Sequence, residues 1–183
     1  MSSFIRYAGA AALVLSLGLI VSALPVMYAN IPTPTGDDAV SRLCAKLVIE
    51  GELQAKIKAL PLCLDIEDAK VKIAAIVALF KGCSDELLRI GAGVAVNVEA
   101  KASLVACIVK IITLCAQVCV ALSLKFGLSI CVEIDMALRS FLSILGICVN
   151  DIVELIVKAL ASATVGLLTE ANLKLCLNAL NLN

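Results

Sequence analysis

Nine cysteines, Cys44, Cys63, Cys83, Cys107, Cys115, Cys119, Cys131, Cys148 and Cys176, are the residues of this 183-residue sequence that bear most directly on chemistry. A thiol can act as a nucleophile, a metal ligand or half of a disulfide. The sequence holds no histidine, so the commonest general base and zinc ligand is missing, and Ser-His-Asp and Cys-His arrangements are excluded. Cys115-x-x-x-Cys119 has no second matching pair and the other gaps are long and irregular, which does not describe a zinc site. No Cys-x-x-Cys is present to lower a thiol pKa. Structural bridging remains. Cys107, Ile111, Cys115 and Cys119 recur every four residues, so on a helix they form one slanted stripe whose partners must lie on other helices. The odd total leads us to expect four intramolecular bridges and one thiol left over.

Other chemistries find little support. Glu133 with Asp135 and Asp151 with Glu154 are carboxylate pairs, but helix-surface and capping roles account for both. Gly91-Ala92-Gly93 lacks the third glycine, the preceding strand and the acidic residue of a dinucleotide fingerprint. Fifteen basic residues balance fifteen acidic ones, which leaves no excess charge to neutralise phosphates and argues against a nucleic-acid partner. We therefore assign no catalytic, cofactor-binding or metal-binding residue, and expect no enzyme and no cofactor.

The elements that would position the cysteines start after an N-terminal address. Arg6 supplies a basic start, Ala8 to Val21 is an apolar run, and Val21-Ser22-Ala23 has the small-residue pattern that signal peptidase reads. Residues 1–23 are expected to be a cleaved signal peptide, with cleavage after Ala23 and Ala29 as second choice. Residues 24–36 carry Pro25, Pro32, Pro34 and Gly36 and read as a mobile linker. Residues 37–183 form one cysteine-containing domain. Export to an extracellular or wall location would make disulfides the default state of its thiols.

Acidic residues precede basic ones by four at Asp38/Arg42, Glu52/Lys56, Asp68/Lys72, Asp85/Arg89, Asp135/Arg139 and Glu154/Lys158, the favoured order for a helical ion pair. The spacing predicts an all-α, disulfide-stapled bundle of about five or six helices. Asp37 or Asp38 caps the first, with a stripe of Val40, Leu43, Cys44 and Leu47 and an end at Pro61 or, earlier, Gly51. Asp65 caps a second that reaches Gly82, and Ser84 caps a third that is interrupted near Val94 to Val98. A long helix is predicted from about Glu99 to Phe126, then segments over Leu128–Leu145 and Ile147–Leu168 around Gly146. Asn172 to Asn178 alternates with a strand period or is a frayed helical end.

Charge is divided by halves: residues 37–101 hold nineteen charged side chains and residues 102–169 hold eight, with 170–183 as a tail. A domain this small buries only part of its side chains, so the apolar half is expected to expose aliphatic surface or to hide it against another molecule. One marginal membrane span over Ala102–Leu124 is an alternative use of it. With its signal segment, charged first half, apolar second half and dispersed cysteines, the chain resembles a basidiomycete family of small secreted hydrophobic wall proteins that act alongside hydrophobins. The stretch Ala106-Cys-Ile-Val-Lys-Ile-Ile-Thr-Leu-Cys-Ala-Gln-Val-Cys119 carries the likeness best. True hydrophobins differ in having adjacent cysteine pairs. The resemblance implies a structural or surface-active role in adhesion or coating, with the cell wall or an apolar surface as partner and self-association or lipid as further ones. A carrier of lipid or sterol and a membrane-active protein are the alternative functions.

Overall fold

The structure, a computed structural model, describes residues 30–182. The expected signal peptide, 1–23, and the first part of the expected linker, 24–29, lie outside the described residues. Every regular element among the described residues is helical, with eight α-helices and two 3-10 turns, so the all-α expectation holds while the count exceeds five or six.

Helix α1, Ala39–Ile49, begins where Asp38 accepts hydrogen bonds from the Ser41 backbone N–H at 2.8 Å and its hydroxyl at 2.6 Å. Its buried face contains the expected Val40, Leu43, Cys44 and Leu47. The chain breaks at the earlier of the two anticipated points: Glu52 adopts φ +49°, α2 follows over Leu53–Ala59, and Pro61 sits in a 3-10 turn, Leu60–Leu62. Asp65 caps α3, Ile66–Ile90, by accepting from the Asp68 N–H at 2.8 Å. Gly82 does not end this helix and Ser84 does not cap a new one. Ile73, Ile76, Phe80, Cys83 and Leu87 keep one continuous buried face across both positions, and that burial outweighs the roughly 1 kcal/mol a mid-helix glycine costs. Gly91, at φ +89°, is the real terminus.

The anticipated interruption is a stretch without regular structure, with Gly93 and Val94 N–H groups donating to the Ile147 and Cys148 carbonyls at 3.4 and 2.7 Å. Asn97 caps α4, Val98–Phe126, and Gly127 at φ +94° ends it. A 3-10 turn over Leu128–Cys131 leads into α5, Val132–Cys148, which passes through Gly146 without a break. The single segment expected to Leu168 is two helices, α6 (Ile152–Ala159) and α7 (Ser162–Glu170), bent by 97°. Residues 174–179 form α8, so the strand period there belongs to a short helix.

Helices α3 and α5 run parallel and make the most extensive helix–helix contact. Phe80 and Phe141 meet between them with ring centroids 5.6 Å apart, and the Cys148 thiol donates to the Leu87 carbonyl at 3.3 Å. Helix α4 returns in the opposite direction, packed by α1, α2, α6, α7 and both 3-10 turns, with fourteen of its 29 residues buried. It is the single helix among the described residues long and apolar enough to cross a bilayer, yet 67% of its most apolar window lies inside the bundle. The stretch considered as a marginal span is thus the core helix of this fold. Its burial takes this helix largely out of the aliphatic surface that the apolar half is expected to expose or to cover with another molecule.

Three of the six anticipated ion pairs form, Glu52–Lys56, Asp68–Lys72 and Glu154–Lys158, all largely exposed. Asp38 is committed to its cap instead, and Asp135 to another helix. The described end of the linker is docked: Ile31 is buried, its N–H donates to Gln54 Oε1 at 2.6 Å, and the Thr35 N–H donates to Ser103 Oγ at 3.2 Å.

Candidate functional site

All nine cysteines are free and buried, and no two sulfurs stand at bonding distance. The structure therefore does not show the expected framework of four bridges. A slanted stripe on a core helix points into packed aliphatic side chains, where a thiol fills space like a small apolar residue. Burial pushes the Cys107 and Cys176 thiols up to about 12 and Cys115 higher still, so they remain protonated and inert. Two pairs are near enough to influence each other's ionisation, Cys44 with Cys83 and Cys119 with Cys131, and the Cys131 thiol donates to the Cys119 carbonyl at 3.5 Å. Cys119 and the Ser123 hydroxyl, 3.8 Å away, together draw the Cys131 thiol below its ordinary value. Cys63 and Cys148, raised by burial, bond instead to the Ala59 and Leu87 carbonyls. No group of three or more metal-ligating side chains occurs among the described residues.

Of the carboxylate pairs, Asp135 has the most specific role. Buried on the first turn of α5, it receives the Leu175 N–H at 2.9 Å on one oxygen and the Cys176 N–H at 2.8 Å on the other. The carboxylate therefore caps α8 from a different helix. Glu154 pairs with Lys158, whose hydrogen bond holds its carboxyl below the usual range.

Exposed aliphatic surface gathers at one end of the bundle, where α3 and α5 begin and α4 finishes. Leu62, Leu64, Ile66 and Val71 lie on one side of this pole and Leu124, Leu128 and Val132 on the other, with Leu64 88% exposed. The Lys125 ammonium bonds the Cys63 carbonyl and ties the two sides together, while its charge also lies 5.2 Å over the Phe126 ring. A hollow of about 360 Å³, shared by Ile66, Val71, Ser129 and Ile130, continues the surface. Solitary exposed aliphatics are ordinary, but seven on one pole form a patch. The apolar loop around Pro61 was the available sequence signal for it. Nothing in the sequence showed that residues 124–132 would stand opposite.

A second concavity, about 400 Å³, runs between α3 and α5. Val77, Leu88, Met136 and Ile144 supply its apolar walls, and Lys81, Asp85 and Glu133 its charged rim. Ser84 lines it as well, 4% exposed, and its hydroxyl is the buried side-chain polar atom with no hydrogen-bond partner among the described residues. Val77, Lys81, Ser84, Asp85 and Leu88 share one helical face, legible as a stripe but not as a groove wall. Comparison of the chain with protein-family models, curated proteins and solved structures finds no match.

Proposed function

We propose that this chain is exported and acts as a surface-active structural protein, adsorbing to an apolar surface such as an outer cell wall through the pole around Leu62, Leu64 and Leu128. The observation that carries the reading is the concentration of exposed aliphatic side chains, seven of the twelve exposed large apolar residues among those described, at one end of the helical bundle. Directional clustering matters, because a one-ended apolar patch orients the molecule at an interface while its remaining helices stay in water. The absence of histidine and of a metal-binding spacing supports a non-enzymatic role.

The test is replacement of Leu62, Leu64 and Leu128 with serine. All three side chains are more than half exposed, and changes at such positions usually alter stability by under about 0.5 kcal/mol. Burying each leucine at an interface contributes about 1.5 kcal/mol or more, roughly tenfold in affinity. The variant is expected to keep its helical circular dichroism and to need at least about tenfold more protein for the parent's fall in surface tension. An unchanged adsorption isotherm would remove the pole from the mechanism.

Export also predicts the covalent state. In an oxidising compartment Cys44–Cys83 and Cys119–Cys131 are the pairs we expect to bridge, since the two thiols of each pair are near enough to influence each other's ionisation. Intact-mass analysis of the secreted protein is expected to find a chain starting at Leu24 that has lost two hydrogens per bridge, with the other thiols alkylated only after unfolding. Met1 retained, or bridges at other cysteines, would contradict this.

A further inference from the structure

We propose that the groove between α3 and α5 is a binding site for a neutral lipid alcohol, sterol-like in size and seated with its hydroxyl at Ser84. The groove shares Glu133 with the hollow beside the adsorbing pole but none of Leu62, Leu64 and Leu128, so the two readings fail independently. Its walls run from Val77 to Leu88 on α3, eleven residue steps or about 17 Å, a length that matches a fused-ring or medium-chain apolar body. The volume of about 400 Å³ falls in the range of small-molecule sites.

Ser84 gives the groove polarity. A buried hydroxyl without a partner is unfavourable in the empty protein, and a ligand hydroxyl can both donate to it and accept from it. The rim decides the charge of the ligand. Lys81 stands with Asp85 and Glu133, one cation against two anions, so a fatty carboxylate or a phosphate head meets net repulsion. An uncharged hydroxyl finds donors and acceptors without that cost, and the exposed Leu88 and Met136 can cover its apolar body.

The experiment titrates the full secreted chain with the fluorescent sterol dehydroergosterol, with hexadecanoate and hexadecyltrimethylammonium as charged competitors. Expected are saturable binding at one site per chain and competition by either charged lipid at least about tenfold weaker than by unlabelled sterol. Ser84→Ala should weaken binding by about tenfold, the worth of one hydrogen bond, while leaving the protein folded. Leu88→Asn with Met136→Asn, both at exposed positions, should weaken it further with circular dichroism unchanged. Absence of saturable binding overturns the proposal. So does parent-like affinity in both variants, or a charged lipid that competes as well as the sterol. Loss of binding in the leucine-to-serine pole variant alone, with the groove variants unaffected, would place the lipid at the pole instead.

Discussion

Replacing Ile112, Val118 and Leu122 together with asparagine is expected to abolish the fold. These residues are at most 1% exposed and line the part of α4 that the other helices enclose. Removing one large aliphatic side chain from such a position costs about 2 to 5 kcal/mol even without adding polarity. An asparagine amide buried without partners adds about 1 to 3 kcal/mol at each site. Total stability for a domain of this size is on the order of 5 to 15 kcal/mol, so the three changes exceed it. Far-ultraviolet circular dichroism and size-exclusion chromatography check the outcome. A variant that stays helical and compact but loses surface activity would mean that this face of α4 is the adhesive surface after all.

Asp135→Ala is expected to detach the C-terminal helix and to destabilise the protein by about 3 to 5 kcal/mol, the scale for breaking two charge-assisted bonds at a buried site. Its carboxylate satisfies the Leu175 and Cys176 N–H groups, which α8 cannot satisfy within itself because a helix leaves its first N–H groups unpaired. Cys176 and Leu177 would then lose their packing against the bundle, so Cys176 should become the first thiol to react with an alkylating agent in the native protein. Asp135→Asn, which keeps one acceptor oxygen, should fall between the parent and the alanine variant. Hydrogen exchange read by mass spectrometry would localise the change. If protection over Lys174–Ala179 is the same in the alanine variant, the cap is not what holds that helix.

Both expectations concern residues that one-dimensional patterning describes well and places poorly. The repeat of apolar positions from Glu99 to Phe126 announces a helix, and the scarcity of charge announces that it is apolar. Neither says whether that surface faces water or other helices. The answer depends on how many neighbours cover it, and α4 is covered by pieces of both halves of the chain. The aliphatics exposed at the pole come from residues 62–71 as well as 124–132, so the division by halves did not foretell it.

Ser84 shows the same limit from the other direction. A serine near a glycine resembles a cap when only local preferences are weighed, but the apolar face of α3 continues unbroken through Cys83 and Leu87. Packing against α5 then carries the helix past it and leaves the hydroxyl without a partner.

What the sequence alone determined is therefore local: the all-helical class, the Asp65 cap, the Gly127 end, a first-helix cap at Asp37 or Asp38 with an end at Gly51 or Pro61, and the lack of histidine that removes most catalytic arrangements. Each rests on a preference expressed within a turn or two of helix, where neighbours in the chain are also neighbours in space. The tertiary structure decided the rest: nine cysteines buried as thiols, Asp135 capping a helix forty residues away, an apolar segment turned into a core, and two distant stretches joined in one exposed pole. Those outcomes depend on which faces meet across the bundle, and the identity of the facing element is not written in the periodicity of either one.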